Sequence, residues 1–352
     1  MKEPVTLATS VVLVGIGVAA DLWLAREFVG AWRESRRPAR KSRRSLTRST
    51  PRGQSLPGAL VATTVGIMLA LCPASAAAQN AGEPPAEPTL TPDVHGSAIG
   101  VQLNLDYSTA YFYRGIVQED SGLILQPAAR LTLNLADERE YKLDGFIGAW
   151  NSVHGQKTGA RTEDDLTAYW YECDVYAGFS VTTGKLALTA TYTFLTSPND
   201  AFETVQELGF SAALDDSEWL GAWAMKPSVT IAMETGADAS DGANSDPGTY
   251  LEFGVSPGFS LNAGTTPVTL TFPASIGLSL SDYYQDAAGD DDTFGFAQVG
   301  ARAAIPLGEP GRLGTWTLNT GVSVLLLGDH TEAYNGGDDA EVIGTIGIQW
   351  NF

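Results

Sequence analysis

Histidine, serine and carboxylate side chains within mutual reach would mark a hydrolase in which histidine activates a serine. The chain has three histidines, His95, His154 and His330. His95-Gly96-Ser97 precedes the first regular segment. His154 and His330 fall in or beside loop-like stretches, with no serine spaced along the same strand face, so no catalytic residue is expected. Two cysteines, Cys72 and Cys173, supply neither a disulfide framework nor a zinc cluster. Clustered acids at Gly289-Asp290-Asp291-Asp292 and at Asp238, Asp241 and Asp246 offer oxygen ligands of the kind Ca²⁺ takes, yet neither has the twelve-residue EF-hand spacing. The simpler reading is solvated acidic loops that bridge diffusely, through divalent cations, to anionic lipid headgroups. No phosphate loop or glycine fingerprint lies in a strand–helix context. The expectation is therefore no cofactor and no specific metal, with Ca²⁺ at the loops as the alternative.

The remaining charges have a pattern of their own. Asp106 and Arg114 share one face of an alternating segment, as do Lys142 and Asp144, Glu172 and Asp174, and Lys226 and Glu234, and in each case the opposite face is uncharged. Extending that parity places Asp106, Arg114, Arg130, Lys142, Asp144, Glu172, Asp174, Lys185, Glu207, Lys226, Glu234, Glu252, Arg302 and Glu341 on one side of a sheet. Charge facing hydrocarbon costs about 2–4 kcal/mol at the bilayer midplane, so lipid on the other side accounts for the sorting. The charged side would then line a water-filled pore.

The elements that carry these residues alternate with period two, the strand signature. In the last, Val342, Gly344, Ile346, Ile348, Trp350 and Phe352 oppose Glu341, Ile343, Thr345, Gly347, Gln349 and Asn351. Twelve such segments are expected near 98–114, 122–136, 141–154, 166–182, 185–196, 202–214, 223–235, 249–262, 267–282, 293–305, 315–327 and 340–352. Gaps after odd-numbered segments are mostly long and acidic, and several after even-numbered ones are tight, as at Thr183-Gly184. Long loops at one end and short turns at the other describe an all-β, 12-stranded antiparallel up-and-down transmembrane β-barrel. A soluble exported sandwich also alternates, but here the apolar face persists for about 9–11 residues, the length of a tilted membrane strand. Tyr111, Tyr113, Tyr192, Phe194, Phe259, Trp316, Trp350 and Phe352 sit near apolar strand ends, where interfacial girdles need amphipathic rings. Pro127, Pro227, Pro257 and Pro273 lie inside proposed strands and predict bulges.

Ahead of the barrel the composition changes sign. Residues 1–78 hold 11 basic and 4 acidic groups, against 10 and 37 in the remainder. So few cations after position 78 rule out a phosphate-backbone binder, and no nucleic-acid partner is expected. A basic run through Arg33 to Arg52, the apolar stretch Leu56–Pro73 and Ala74-Ser75-Ala76-Ala77-Ala78-Gln79 read as a secretory signal. Cleavage is expected between Ala78 and Gln79, with Ala76 as the alternative site. Transmembrane helices are the competing reading, but Pro4–Ala20 is short for a span. The domain expectation is an upstream extension over 1–45 with the true start near Leu46, a signal peptide over 46–78, a periplasmic tether over 79–97 and the barrel over 98–352.

One stretch is specific enough to compare with a family. Ser108-Thr109-Ala110-Tyr111-Phe112-Tyr113-Arg114-Gly115-Ile116-Val117-Gln118, followed by Gln126-Pro127-Ala128, resembles the opening block of the TorF-type porins, roughly S-x-Y-x-F-R-G-x-S-Q and then P-A. Tyr113 stands in place of Phe and Val117 in place of Ser. Ala149-Trp150-Asn151-Ser152, Glu172-Cys173-Asp174-Val175-Tyr176-Ala177-Gly178 and Glu207-Leu208-Gly209 look like later blocks, so the likeness covers about 105–214. It implies an outer-membrane barrel with channel activity, and Arg114, Glu172, Asp174 and Glu207 are the positions it carries over. It adds no solute.

These readings converge on a bacterial outer-membrane channel for passive diffusion of small polar or charged solutes. Its long acidic loops would be extracellular and its short turns periplasmic. Expected partners are outer-membrane lipid, the barrel-assembly machinery through the strand ending at Phe352, and the solutes. A plugged structural or adhesion barrel is the second reading, and a lipid-modifying enzyme the third.

Overall fold

Sixteen β-segments follow one another in the computed structural model, which describes residues 98–162, 165–241, 246–263, 266–286, 288–309, 311 and 314–352. The expected signal segment, the expected cleavage pair Ala78 and Gln79, and the expected tether lie outside the described residues. Strands β1 (Ile99–Ser108), β4 (Ile124–Asp137), β5 (Lys142–His154), β6 (Trp170–Thr183), β7 (Leu186–Thr196), β8 (Val205–Leu214) and β9 (Ser228–Glu234) follow in order around one sheet. The ring continues through β10 (Thr249–Val255) with β11 (Gly258–Ala263), then β12 (Thr266–Thr271) with β13 (Ala274–Ser281). It finishes with β14 (Phe294–Pro306), β15 (Thr315–Leu327) and β16 (Ala340–Asn351). Strand β1 pairs with β4 on one side and β16 on the other, from Gln102↔Asn351 to Ser108↔Thr345, which closes the ring. Val101 and Phe352 exchange backbone hydrogen bonds of 2.7 and 2.8 Å at the seam.

Closure removes the sheet edge that would otherwise leave backbone groups unsatisfied in hydrocarbon. The prolines divide two staves instead of bulging them. Pro257 separates β10 from β11, and Pro273 separates β12 from β13, so each pair is one stave broken in two and the barrel has twelve. The missing N–H groups are bypassed: Phe272 donates to the Pro257 carbonyl and Gly300 to that of Pro273, both at 2.8 Å. Pro227 lies just before β9, not within a strand. Pro127 stays opposite Leu105, while pairing with β5 lapses between Leu125↔Val153 and Ala128↔Trp150. The register shifts fall elsewhere, for example between Asn134 and Ala136 and between Gly277 and Leu278.

Two expected segments also begin or end differently. Residues 166–169 form a 3₁₀ turn before β6, because Asp165 accepts the Thr167 N–H at 2.9 Å. The first segment stops at Ser108, and Tyr111–Tyr113 (β2) pairs with Ile116–Glu119 (β3) as a separate two-stranded hairpin.

The outer face is apolar. Leu105, Leu131, Ile147, Phe179, Phe210, Phe253, Val299 and Ile346 are exposed, whereas Asp106, Arg130, Lys142, Asp144, Glu172, Asp174, Glu207, Glu252 and Arg302 hold the opposite parity on the same strands. At the short-turn end Trp316, Trp350 and Phe352 form a row of rings 5.9 and 5.8 Å apart. Trp219 and Trp223 project from the 215–227 connection, 67% and 83% exposed. Amphipathic rings at that height suit a membrane–water interface. Tyr111 and Tyr113, expected there too, are instead buried at 3% exposure each.

Candidate functional site: a hairpin folded into the barrel

The β2–β3 hairpin turns through Arg114 and Gly115, whose φ values are 45° and 89°. Positive φ at both central residues defines the type I′ turn that a two-residue hairpin favours. Glycine adopts it freely, and at Gly115 a Cβ would also meet Phe296 at 3.1 Å. Arginine does so at a cost of about 1–2 kcal/mol, so the surroundings must hold it there.

Those surroundings come from all round the ring. Tyr111 packs on Trp150 of β5 with centroids 5.3 Å apart and donates to Glu172 Oε2 of β6 at 2.8 Å. Tyr113 packs with Leu195 of β7 and Val205 of β8. Phe112 and Ile116 join a buried cluster with Tyr250 of β10, Phe296 of β14 and Leu325 of β15. A segment this short can touch so many staves of a closed barrel only from inside it. The hairpin is an inward-folded plug near the long-loop end.

Its tip is fixed by one side chain. Arg114 Nη1 donates to Glu207 Oε2 at 2.5 Å and Nη2 to Oε1 at 2.8 Å, a bidentate pair. Nη1 also reaches the Tyr283 hydroxyl at 2.7 Å. The guanidinium lies 4.2 Å from the Tyr250 ring centroid and 5.1 and 5.3 Å from those of Tyr113 and Tyr283. Tyr284 donates to the Arg114 carbonyl at 2.9 Å. Breaking such a buried pair from one side typically costs about 3–5 kcal/mol, more than the turn's strain.

The other expected lining residues distribute along the barrel. Glu172 accepts the Tyr111 hydroxyl, and Asp174 stands two residues on along the same strand, both buried. Glu234 accepts the N–H groups of Ser240 and Gly248, both at 2.8 Å, and Glu252 accepts the Tyr250 hydroxyl. Asp106 lies over Gly347 on the neighbouring β16. Toward the short-turn end, Lys142 pairs with Asp144 at 3.5 Å, Arg130 covers the Phe146 ring at 4.0 Å, and Arg302 packs beside Gly321. Lys226 is not on a strand: it sits in the 215–227 connection at φ 47°, its N–H held by Asp216 Oδ1 at 2.9 Å. Acidic groups thus gather around the hairpin, and basic ones lie below it.

The expectation that no serine shares a strand face with a histidine is corrected. Ser152 and His154 stand two apart on β5, with Oγ 2.9 Å from Nε2, and Glu119 Oε2 lies 3.8 Å from His154 Nδ1. Spacing of two was the available signal. The three residues have the order of a hydrolytic triad, but Ser152 is fully buried and the Glu119–His154 separation is too long for a hydrogen bond. Glu119 Oε1 accepts from Ser121 and Gln156, both at 2.9 Å, while His154 stacks on Tyr171 at 4.6 Å. In this arrangement the group braces β3 against β5.

In the acidic loop after β13 the carboxylates are spent close to home. Asp291 accepts from the Ser279 hydroxyl of β13 and from the N–H groups of Tyr284 and Asp282, and Asp286 from those of Ala288 and Asp290, at 2.8–3.1 Å. Hydrogen bonds from the backbone N–H groups of Asp290 and Ala288 hold the Asp286 carboxyl below the usual carboxylate range. Among the described residues, no group of three or more His, Cys, Asp or Glu is arranged to hold a metal ion.

No protein-family model and no curated protein matches the chain. Among solved structures it is similar to an outer membrane channel from Pseudomonas putida F1 (11% identity, 80% of this chain and 100% of that one, TM-score 0.41). It is also similar to the NanC porin (10%, 71% and 98%, 0.38) and to LpxR from Salmonella typhimurium (8%, 71% and 99%, 0.38). The closed ring of this chain, not these distant likenesses, defines its fold: an outer-membrane-type β-barrel.

Proposed function

We propose that this barrel is an outer-membrane channel for small polar solutes, and that its inward hairpin governs passage. The observation behind this reading is that, among the described residues, β2 and β3 pair only with each other. The plug is held by side chains, so it can shift without breaking a single bond of the barrel ladder. With the hairpin displaced, the charged inner face from Asp106 and Glu172 down to Arg130, Lys142 and Arg302 would line the route. The long loops face outward and the short turns the periplasm, assembly proceeds through the strand ending at Phe352, and the TorF-type porins are the family the 105–214 blocks support.

Planar-bilayer recording of the refolded protein tests the channel. Discrete current steps are expected, more frequent in Arg114→Ala, and their absence in both proteins would remove the reading. The Ser152–His154 pair on β5, 2.9 Å apart, supports a second reading, lipid hydrolysis once the hairpin, which carries Glu119, moves off it. Release of fatty acid by the purified protein, abolished in Ser152→Ala, would establish it.

A further inference from the structure

We propose that Arg114 is a tethered stand-in for the channel's own cargo, and that the wall around it is a binding site for solutes bearing a guanidinium group. This rests on the channel reading and names the solute class for it.

Most of what holds Arg114 does not belong to the hairpin. Glu207 is on β8, Tyr250 on β10 and Tyr283 in the loop after β13. When the hairpin withdraws, only Tyr113 leaves with it. What remains is a carboxylate already set for two parallel N–H donors, a hydroxyl 2.7 Å from the same cation, and a ring face at 4.2 Å. Planar, forked recognition combined with ring stacking favours guanidinium over a compact ammonium.

Charge gives the second reason. Glu172, Asp174 and Glu207 are 2–3% exposed, with Glu234 and Glu252 beside them, and Arg114 is the buried cation among these groups. Asp174 Oδ1 and the Tyr113 hydroxyl are buried without a hydrogen-bond partner among the described residues. When Arg114 departs, Glu207 loses its matched partner, and a solute cation entering with the water would restore that pair. The wall has negative charge to spare for one.

The hairpin therefore competes with free solute. A ligand on a short flexible tether has an effective concentration on the order of millimolar, and the packing of Tyr111, Phe112, Tyr113 and Ile116 adds to it, so a free guanidinium solute needs at least that range to displace Arg114. Deleting the tethered competitor should raise apparent affinity by the inverse of the fraction of time the site is vacant, at least about tenfold.

Agmatine is the probe, with 1,5-diaminopentane (equal charge, no guanidinium) and glutamate as controls, in bilayer recordings and in calorimetry of the refolded full barrel in detergent. In the native protein, millimolar agmatine should increase channel opening while equal 1,5-diaminopentane and glutamate do little. Arg114→Ala should open without agmatine and bind it at least about tenfold more tightly, and Glu207→Gln should lose the response. Heat-modifiability on gels checks that each variant is a closed barrel. If Arg114→Ala does not fold, Arg114→Lys, which keeps the charge and loses the fork, should show the same tightening in smaller measure. Agmatine no more effective than 1,5-diaminopentane in the native protein and in whichever Arg114 variant folds overturns the proposal. Current steps indifferent to agmatine leave the channel standing and remove the cargo site. Tight agmatine binding without current steps keeps the site and removes the channel.

Discussion

A single arginine connects the strain of a turn, the charge of a wall and the position of a plug. Arg114 was singled out in the sequence by its place in the Tyr113-Arg114-Gly115 block, as were Glu172, Asp174 and Glu207. Its partner was not legible, because Glu207 lies 93 residues away and only ring closure brings them together. Ser152–His154 was legible in principle, two residues apart on one strand, but the loop-like character of the segment's end hid it. At this scale the pair can be weighed by a double-mutant cycle. Arg114→Ala and Glu207→Gln should each loosen the hairpin strongly, and the double variant should be less perturbed than the two effects added, with a coupling of about 1–3 kcal/mol. Hydrogen exchange at the Tyr111–Glu119 amides reads the loosening. Strictly additive effects would mean that the two side chains do not hold each other.

At the scale of elements, period-two alternation made the staves readable and failed where two rules compete. Tyr111-Phe112-Tyr113 alternates poorly and continues an apolar strand, so it reads as a strand end with interfacial rings. The positive φ at Arg114 and Gly115 breaks it into a turn, and the rings go inside. Prolines were expected to bulge strands, but at Pro257 and Pro273 both neighbouring staves break at the same level and the ladder is carried across by Phe272 and Gly300. The acidic loop after β13 gives a pH prediction. The Asp286 carboxyl titrates below its ordinary range because backbone N–H groups donate to its charged form. A depressed folded value means the contribution is complete above the unfolded carboxylate range and is lost as pH falls through the folded one. Amides of Ala288 and Asp290 should stay protected at pH 5 and exchange faster, after correction for intrinsic rates, as pH drops below the usual carboxylate range. Equal corrected protection at both would show that Asp286 does not order this loop.

For the whole molecule, the sequence revealed a barrel because a closed sheet in lipid imposes one rule on every stave, and a rule repeated twelve times survives local exceptions. The plug was hidden because it obeys no periodic rule. The belt makes a paired prediction on β6, where Phe179 faces out at 59% exposure and the next residue, Ser180, has the parity of Glu172 and Asp174. Phe179→Arg puts a charge in hydrocarbon and should lower stability by about 2–4 kcal/mol if that position lies near the midplane, less toward an interface. Ser180→Arg, one residue on, should fold nearly as well as the native protein, because water and the inner carboxylates receive the charge. Unfolding in urea from phospholipid vesicles measures both. If the two substitutions cost the same, the apolar rows do not face lipid and the barrel is not a membrane barrel. If Ser180→Arg alone is severe, the inner face at that height is dry, and displacing the hairpin would not by itself make a continuous aqueous route.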